Sequence, residues 1–95
     1  MIVARWTQTI KDRRTSEYVA LLREMFGGID RPVRISTCYI GPERTVALEI
    51  EFESLEQYEK SRAEWRTTPE AATFLERRRE LIDGPGNHGI WVLHQ

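Results

Sequence analysis

The sequence predicts an α+β domain whose elements follow the order strand, helix, strand, strand, broken helix, strand. Three observations support this prediction. Runs of alternating polar and apolar residues indicate strands, an apolar stripe with helical spacing indicates the first helix, and two capping signals indicate a broken helix between Ser54 and Ile82. Because 95 residues is the length of one small domain, we expect a single domain over residues 1–95.

The first strand is predicted at residues 2–10, where side chains alternate between two faces. One face carries Ile2, Ala4, Trp6, Gln8 and Ile10, and the other carries Val3, Arg5, Thr7 and Thr9. The following helix has an apolar stripe formed by Tyr18, Leu21, Leu22, Met25 and Phe26. We predict Thr15 or Ser16 as its cap and a left-handed end at Gly27 or Gly28.

A β-hairpin is predicted next. Residues 33–40 are rich in β-branched and aromatic side chains, and Gly41-Pro42-Glu43 separates them from a second alternating run. In that run the apolar face consists of Val46, Leu48, Ile50 and Phe52, and the opposite face of Thr45, Ala47, Glu49 and Glu51. We expect the helices to cover the apolar face.

The broken helix has two separate starts. Ser54 and Gln57 form a capping box at the start of the first half. Thr68 caps the second half, and Pro69 occupies its first helical position. The predicted inward side chains of the first half are Leu55, Tyr58, Arg62 and Trp65. Those of the second half are Ala72, Leu75 and Ile82, with Phe74 and Leu81. A glycine-rich loop at 84–89 then precedes a terminal strand at 90–94.

This order allows a split βαβ sheet, with four antiparallel strands and the helices on one face. The other face carries Arg5, Glu49 and Glu51 beside the apolar Val3. Such a face is too apolar to be left in water and too charged for an ordinary core. We therefore expect a homodimer in which a second copy packs sheet on sheet about a two-fold axis.

Composition excludes several classes of partner. The 14 basic and 15 acidic residues nearly cancel, which argues against nucleic acid and acidic membranes. Cys38 is the only cysteine, so neither an intramolecular disulfide nor a thiolate metal cluster is expected. No segment reaches the ~20 apolar residues of a membrane span. We expect a cytoplasmic protein that does not contact a membrane.

The chain resembles the dimeric α/β-barrel superfamily, in particular its NIPSNAP-like and antibiotic-biosynthesis-monooxygenase branches. The resemblance covers nearly the whole chain and rests on the element order, on residues 52–58 (Phe-Glu-Ser-Leu-Glu-Gln-Tyr), and on Thr67-Thr68-Pro69-Glu70 with Phe74-Leu75 following. It implies ferredoxin-like subunits that pack sheet on sheet. The superfamily includes cofactor-independent oxygenases, haem-degrading enzymes, isomerases and cyclases, so the fold alone transfers little function.

The resemblance also implies a ligand cleft between the helices and the sheet. The side chains that would line it are Trp6, Gln8, Tyr18, Leu22, Tyr58 and Trp65. Among these we select Trp6, Tyr18, Leu22 and Trp65 as ligand-binding residues, because aromatic walls with few polar groups suit a flat hydrophobic molecule. The alternative is that these side chains only fill the core, as large apolar residues at helical spacing mostly do.

The candidate catalytic residues are His94, Tyr58 and Gln8. Histidine titrates near neutrality and is the first candidate for proton transfer, and His94 can serve if the terminal strand reaches the cleft. The alternative for His94 is an exposed position at the chain end. His88 lies in a glycine-rich loop, where a surface position is expected. Two histidines without a nearby cysteine or a suitably spaced carboxylate do not indicate a metal site.

Glu49 and Glu51 share a strand face about 7 Å apart, a spacing that also fits an acid–base pair. Arg5 and Arg34 can neutralise them, which favours structural ion pairs at the dimer interface.

Haem-degrading relatives resemble this chain in a late tryptophan of the second helix, here Trp65. They hold iron with a histidine farther along that helical region, and residues 69–82 contain none. The resemblance therefore argues against haem, and no cofactor is predicted.

Two functions remain open. The first is a cofactor-independent monooxygenase, cyclase or isomerase of secondary metabolism that acts on a hydrophobic or aromatic small molecule. The second is a noncatalytic dimer that uses the same cleft for binding or interaction. A cleft closed by Trp6, Trp65 and Phe74 would favour the second.

Overall fold

The computed structural model describes residues 1–94, which form a four-stranded antiparallel sheet and three helices. The elements are β1 (Ile2–Thr9), α1 (Thr15–Phe26), β2 (Val33–Thr37), β3 (Thr45–Phe52), α2 (Leu55–Arg66), α3 (Pro69–Arg79) and β4 (Asn87–Val92). The strand order is β2-β3-β1-β4, with every neighbouring pair antiparallel. This is a ferredoxin-like α+β arrangement, and it confirms the predicted fold class and element order.

The core lies between the sheet and the helices. The alternating face predicted for β3 is buried at Val46, Leu48, Ile50 and Phe52, and Ala4 of β1 and Ile10, just after that strand, add to it. Leu21 and Leu22 of α1 are also fully enclosed. Each large aliphatic side chain buried in this way stabilises the fold by roughly 1.5–3 kcal/mol, so this layer is the main source of stability.

Local capping divides the broken helix as predicted. The Ser54 hydroxyl accepts a hydrogen bond from Gln57 N at 3.1 Å, although the Gln57 side chain accepts from Glu53 N rather than Ser54 N. At the break, the hydroxyl of Thr68 accepts from Ala71 N, and Pro69 occupies the first helical position. Thr68 thus starts α3 directly after α2 ends.

The ends of α1 differ from the prediction. Arg14 is the N-cap and offers no side-chain cap, while Thr15 is already the first helical residue. Arg14 instead pairs with Glu17 at 2.7 Å, which supports the first turn by charge. The predicted left-handed end is wrong, because Gly27 keeps a right-handed φ of −67°.

The buried face of α3 is rotated by one residue from the prediction. Ala71 and Phe74 are buried, whereas Ala72 is exposed and Leu75 is 51% exposed. Phe74 meets Phe26 of α1 edge to face with ring centroids 5.4 Å apart, and this contact decides the rotation of the helix. Leu55, at the first position of α2, is likewise exposed rather than inward.

Two strands have different bounds from those predicted. β2 ends at Thr37 instead of residue 40, because the chain leaves the sheet for a loop in which Tyr39 is 97% exposed. β4 begins at Asn87 instead of residue 90, because Asn87, His88 and Gly89 pair with Thr7, Trp6 and Arg5 of β1. Part of the predicted loop is therefore strand.

The face of the sheet opposite the helices mixes charge with apolar surface, as predicted. Arg34 lies 2.8 Å from Glu51 and 3.7 Å from Glu49, so the two glutamates share one arginine. Val3 is 4% exposed beside its register partner Trp91, which is 58% exposed. We call this side of the sheet the outer face.

Candidate functional site

Three of the predicted cleft residues lie in the core. Tyr18 and Leu22 are buried, and Trp65 packs against Phe26 and Phe74 with ring centroids 5.8 Å and 5.7 Å away. These aromatic contacts fill the space that the sequence left open as a cleft. The placement of Tyr18, Leu22 and Trp65 favours their alternative role as packing residues.

Four polar or aromatic side chains from α2, β1 and β4 meet instead. They are Trp6, Tyr58, Arg62 and His88, which we call the His88 cluster. The antiparallel register places His88 directly opposite Trp6, and their rings stack at 4.6 Å with planes 6° apart. Tyr58 and Arg62 lie one helical turn apart on α2 and therefore share a face.

Hydrogen bonds join the polar members of the cluster. Tyr58 Oη lies 3.2 Å from His88 Nε2, and Arg62 Nη1 donates to the same phenol oxygen. Arg62 Nη1 also approaches His88 Nδ1 at 3.4 Å. Since a guanidinium can only donate, Nδ1 must present its lone pair, and Nε2 of the neutral ring then donates to Tyr58. Because His88 Nε2 and Arg62 Nη1 both donate to the Tyr58 oxygen, the hydroxyl proton of Tyr58 is free to donate to another acceptor.

The cluster's electrostatics keep His88 uncharged at neutral pH. Partial burial, and after it the positive charge of Arg62, lower the pKa of His88 below its ordinary value of 6.5. Among residues 1–94, no carboxylate lies within ion-pair distance of Arg62. The free donors of Arg62 and Tyr58 therefore suit an acceptor oxygen on a ligand.

The cluster opens onto an uncovered part of the sheet. By the strand alternation, His88, Ile90 and Val92 of β4 point to the helix side, and all three are exposed. We call these three residues the β4 shelf. It offers a ring face and two aliphatic side chains, with Tyr58 and Arg62 beside one end.

The sequence favoured His94 over His88 as the functional histidine, and the structure favours His88. His94 follows the end of β4, is exposed, and lies outside the His88 cluster. The loop expected at His88 is wrong, because residue 88 lies in β4 and stacks on Trp6, although the residue is exposed as expected. Extending the alternation backwards from Ile90 would have put His88 on the helix side.

Gln8, a predicted catalytic residue, is only 3% exposed and fully engaged. Its Nε2 donates to Gly84 O at 2.8 Å and Thr9 O at 3.2 Å, and its Oε1 accepts from Arg78 Nη2 at 2.7 Å. A Cβ added at Gly86 would lie 2.7 Å from Thr7 O, so the same loop lies directly on β1. Gln8 thus holds the segment that leads into β4 and His88.

The remaining features do not add a site near the cluster. The pairing of Glu49 and Glu51 with Arg34 matches the structural alternative for these carboxylates. Within residues 1–94, no group of three His, Cys, Asp or Glu side chains could hold a metal ion. None of the helices in this part of the chain is long and apolar enough to span a bilayer.

Comparison with solved structures identifies proteins of the same architecture. An uncharacterized NIPSNAP domain protein from Burkholderia xenovorans matches with a TM-score of 0.84 at 16% identity, covering 99% of this chain and 95% of that one. A NIPSNAP family protein from Agrobacterium tumefaciens matches at 0.81 and 22% identity, covering 96% and 90%. The chain has the NIPSNAP-domain fold.

A proposed antibiotic biosynthesis monooxygenase from Deinococcus radiodurans also matches, with a TM-score of 0.73 at 9% identity over 100% of this chain and 94% of that one. No protein-family model and no curated protein matches the sequence. The resemblance inferred from the sequence is therefore confirmed at the level of fold, and identities this low carry no function with them.

Proposed function

We propose that this protein is a cytoplasmic homodimer that binds a small aromatic molecule carrying an acceptor oxygen. The observation that carries the proposal is the His88 cluster: a stacked ring pair with two hydrogen-bond donors beside an uncovered apolar shelf. A flat ligand can lie on the β4 shelf while its oxygen accepts from Tyr58 and Arg62. Ligand sites commonly combine apolar walls with a few polar groups in this way.

A matched pair of ligands tests the binding site. We expect 2-naphthol to quench the fluorescence of Trp6 and to bind at least tenfold more tightly than 2-methylnaphthalene, which has the same size and lacks the oxygen. Tyr58→Phe and Arg62→Met should each lower the affinity for 2-naphthol by about 10-fold or more, which is the effect of losing one charge-assisted or buried hydrogen bond. Arg66→Met, on an exposed position of the same helix, is the control.

Equal affinity for both naphthalene compounds, or unchanged binding in both cluster variants, would remove the proposed site. Amide shifts in an NMR titration locate the ligand independently, and we expect them at His88 and Ile90 rather than at Trp65.

The dimer is proposed to form through the outer face. That face presents the exposed side chains of Met1, Trp91 and Leu93. Arg34 pairs with its two glutamates, and Arg5 makes the number of positive and negative charges equal. A charge-balanced surface with an apolar part can pack against its own copy, and a stable interface needs roughly 800 Å² from each partner.

Native mass spectrometry at micromolar concentration should show a dimer for the natural sequence and a monomer for Trp91→Glu, because the variant would bury an unpaired charge. Leu75→Glu is the control: Leu75 is 51% exposed, close to the 58% of Trp91, but lies on α3 on the opposite side of the sheet. A monomeric natural protein contradicts the dimer, and dissociation of both variants contradicts its location.

Catalysis is a second candidate, favoured by the neutral state of His88. Cofactor-independent oxygenation, cyclisation and isomerisation can each begin with removal of a proton from a phenol or from a carbon beside a carbonyl. Once Arg62 Nη1 turns from His88 Nδ1 to the substrate oxygen, the Nδ1 lone pair can accept such a proton while Tyr58 and Arg62 stabilise the oxyanion that forms.

The proton transfer can be measured directly with 2-tetralone, whose carbon beside the carbonyl exchanges hydrogen for deuterium in heavy water. We expect the protein to accelerate this exchange, and His88→Gln to abolish the acceleration. His94→Gln is the paired variant: loss of exchange in it alone would support the residue chosen from the sequence and refute His88. No acceleration by the natural protein leaves binding as the proposed function.

A further inference from the structure

A concavity lies away from the His88 cluster, between α1 and the adjoining ends of β2 and β3. Its volume is about 560 Å³, within the range of about 300–1,000 Å³ typical of small-molecule sites. A neighbouring concavity of about 630 Å³ continues along the β2–β3 connection, and the two share Cys38 and Arg44. We call the first one the α1 groove.

The polar lining of the α1 groove consists mainly of hydrogen-bond donors. From α1 it receives Thr15, Ser16 and Arg23, and from the strand ends Thr37, Arg44 and Thr45. Hydroxyl groups both donate and accept, but the two guanidinium groups can only donate. No carboxylate is among the residues that line this groove, so its lining is net positive in a chain whose formal charge is −1.

The acidic residues around the groove leave this charge largely in place. The two glutamates of α1 are paired elsewhere, Glu17 with Arg14 at 2.7 Å and Glu24 with Arg77 at 2.9 Å. Among residues 1–94, no carboxylate lies within ion-pair distance of Arg23.

Arg44 has one weak acidic partner. Its Nη2 is 3.5 Å from an Asp83 carboxylate oxygen, a contact between two exposed side chains that water screens. Asp12 and Glu43 line only the adjoining concavity. Both arginines of the α1 groove therefore remain available to an anion.

The backbone at Arg44 has a left-handed conformation that neighbouring hydrogen bonds hold in place. Arg44 has a φ of +52°, in the left-handed region that costs a residue with a Cβ roughly 1–2 kcal/mol. Hydrogen bonds from Ile10 N to Arg44 O at 2.8 Å and from Cys38 N to Thr45 O at 2.9 Å hold the chain in this path. Glycine would occupy the position without strain, so Arg44 can be replaced by glycine without changing this path.

We propose that the α1 groove binds a small organic anion, whose carboxylate or phosphate group is held by Arg23 and Arg44. Val19 and Ala20 provide an apolar surface for the rest of the molecule. Carboxylates and phosphates both accept forked hydrogen bonds from guanidinium groups, and this shared chemistry defines the ligand class. The site is independent of the His88 cluster and of the function proposed for it.

An NMR titration with three probes tests the site: phenyl phosphate, benzoate and benzyl alcohol. We expect amide shifts at Thr15, Thr37 and Thr45 that saturate with at least one anion and do not appear with the neutral alcohol. Saturation by phenyl phosphate alone identifies phosphate esters as the class, and by benzoate alone identifies carboxylates. The affinity should fall as salt rises, because the contact is between exposed charges.

Two variants remove the charges without disturbing the fold. Arg23→Gln acts at an exposed helix position, and Arg44→Gly accepts the positive φ without strain. Each should lower the affinity for the anion by about tenfold or more, which is the usual effect of losing a hydrogen bond to a charged group. Arg66→Met, at an exposed position of α2 outside both proposed sites, should leave this binding unchanged.

Several results would overturn the proposal. They are binding of benzyl alcohol as tight as that of the anions, no saturating shift with either anion, or full affinity in both arginine variants. Shifts confined to His88 and Ile90 would assign the anions to the other site instead.

Discussion

Replacing Gln8 by methionine should destabilise the protein by about 2–4.5 kcal/mol, although the two side chains are similar in size. Gln8 is 3% exposed, and the change removes the acceptor of Arg78 Nη2 at 2.7 Å and the donor to Gly84 O at 2.8 Å. Loss of a hydrogen bond to a charged group costs about 1.5–3 kcal/mol, and loss of a neutral one about 0.5–1.5 kcal/mol. Their sum sets the expected value.

Urea unfolding at a fixed protein concentration, followed by tryptophan fluorescence, measures the change. The matched control is Gln57→Met, which removes the single partly exposed hydrogen bond to Glu53 N at 2.7 Å and should cost about 0.5–1.5 kcal/mol.

A stability of the Gln8 variant within 0.5 kcal/mol of the natural protein would refute this account of the buried amide. A larger loss in the Gln57 variant would refute it equally. Because Gln8 holds the loop before β4, its replacement should also shift the NMR signals of the His88 ring, whereas the control variant should not.

Three further changes have outcomes fixed by single contacts. Ser54→Ala should lower stability by about 1 kcal/mol in thermal unfolding, whereas Thr15→Ala should change it by less than half as much, because α1 has no side-chain cap. Phe74→Ala should cost about 3–5 kcal/mol, and the same truncation at Leu75 less than about 1 kcal/mol, since only Phe74 is buried. His88 should titrate below 6.5 in an NMR pH series. Since its folded pKa is depressed, its contribution to stability is complete above pH 6.5 and is lost as the pH falls through the folded pKa; a measured value above 6.5 would contradict the cluster.

The predictions that depended on neighbouring residues agree well with the structure. The capping signals of Ser54 and Thr68 are both confirmed, as is the alternation of β3, because caps and strand faces depend on residues only two to four positions apart. The rotation of α3 about its axis could not be predicted from its own sequence. Ala72 and Leu75 are as apolar as Ala71 and Phe74, and tertiary contacts of Phe74 with Phe26 and Trp65 select between the two faces.

In the candidate site too, the residues on one helix face could be predicted from local sequence, whereas those that depend on distant contacts could not. Tyr58 was selected from the sequence, and Arg62 lies one turn later on the same predicted stripe. His88 was not selected as a catalytic residue because the glycines and the proline around it indicated a loop. In the structure it pairs with β1 and is a strand residue. Gln8 was selected as a polar side chain on the helix face of β1, yet Arg78 and Gly84, more than 60 residues away, engage it fully.

The sequence by itself determined the order of the strands and helices, the alternating faces of the sheet and the break between α2 and α3, because these follow from backbone preferences and periodicity over a few residues. Only the tertiary structure decided that His88 rather than His94 meets Tyr58 and that Trp65 is enclosed by Phe26 and Phe74. It also brought Arg23 and Arg44 to one groove. These residues are 9 to 39 positions apart, and their geometry depends on strand register and helix rotation, which local sequence patterns do not specify.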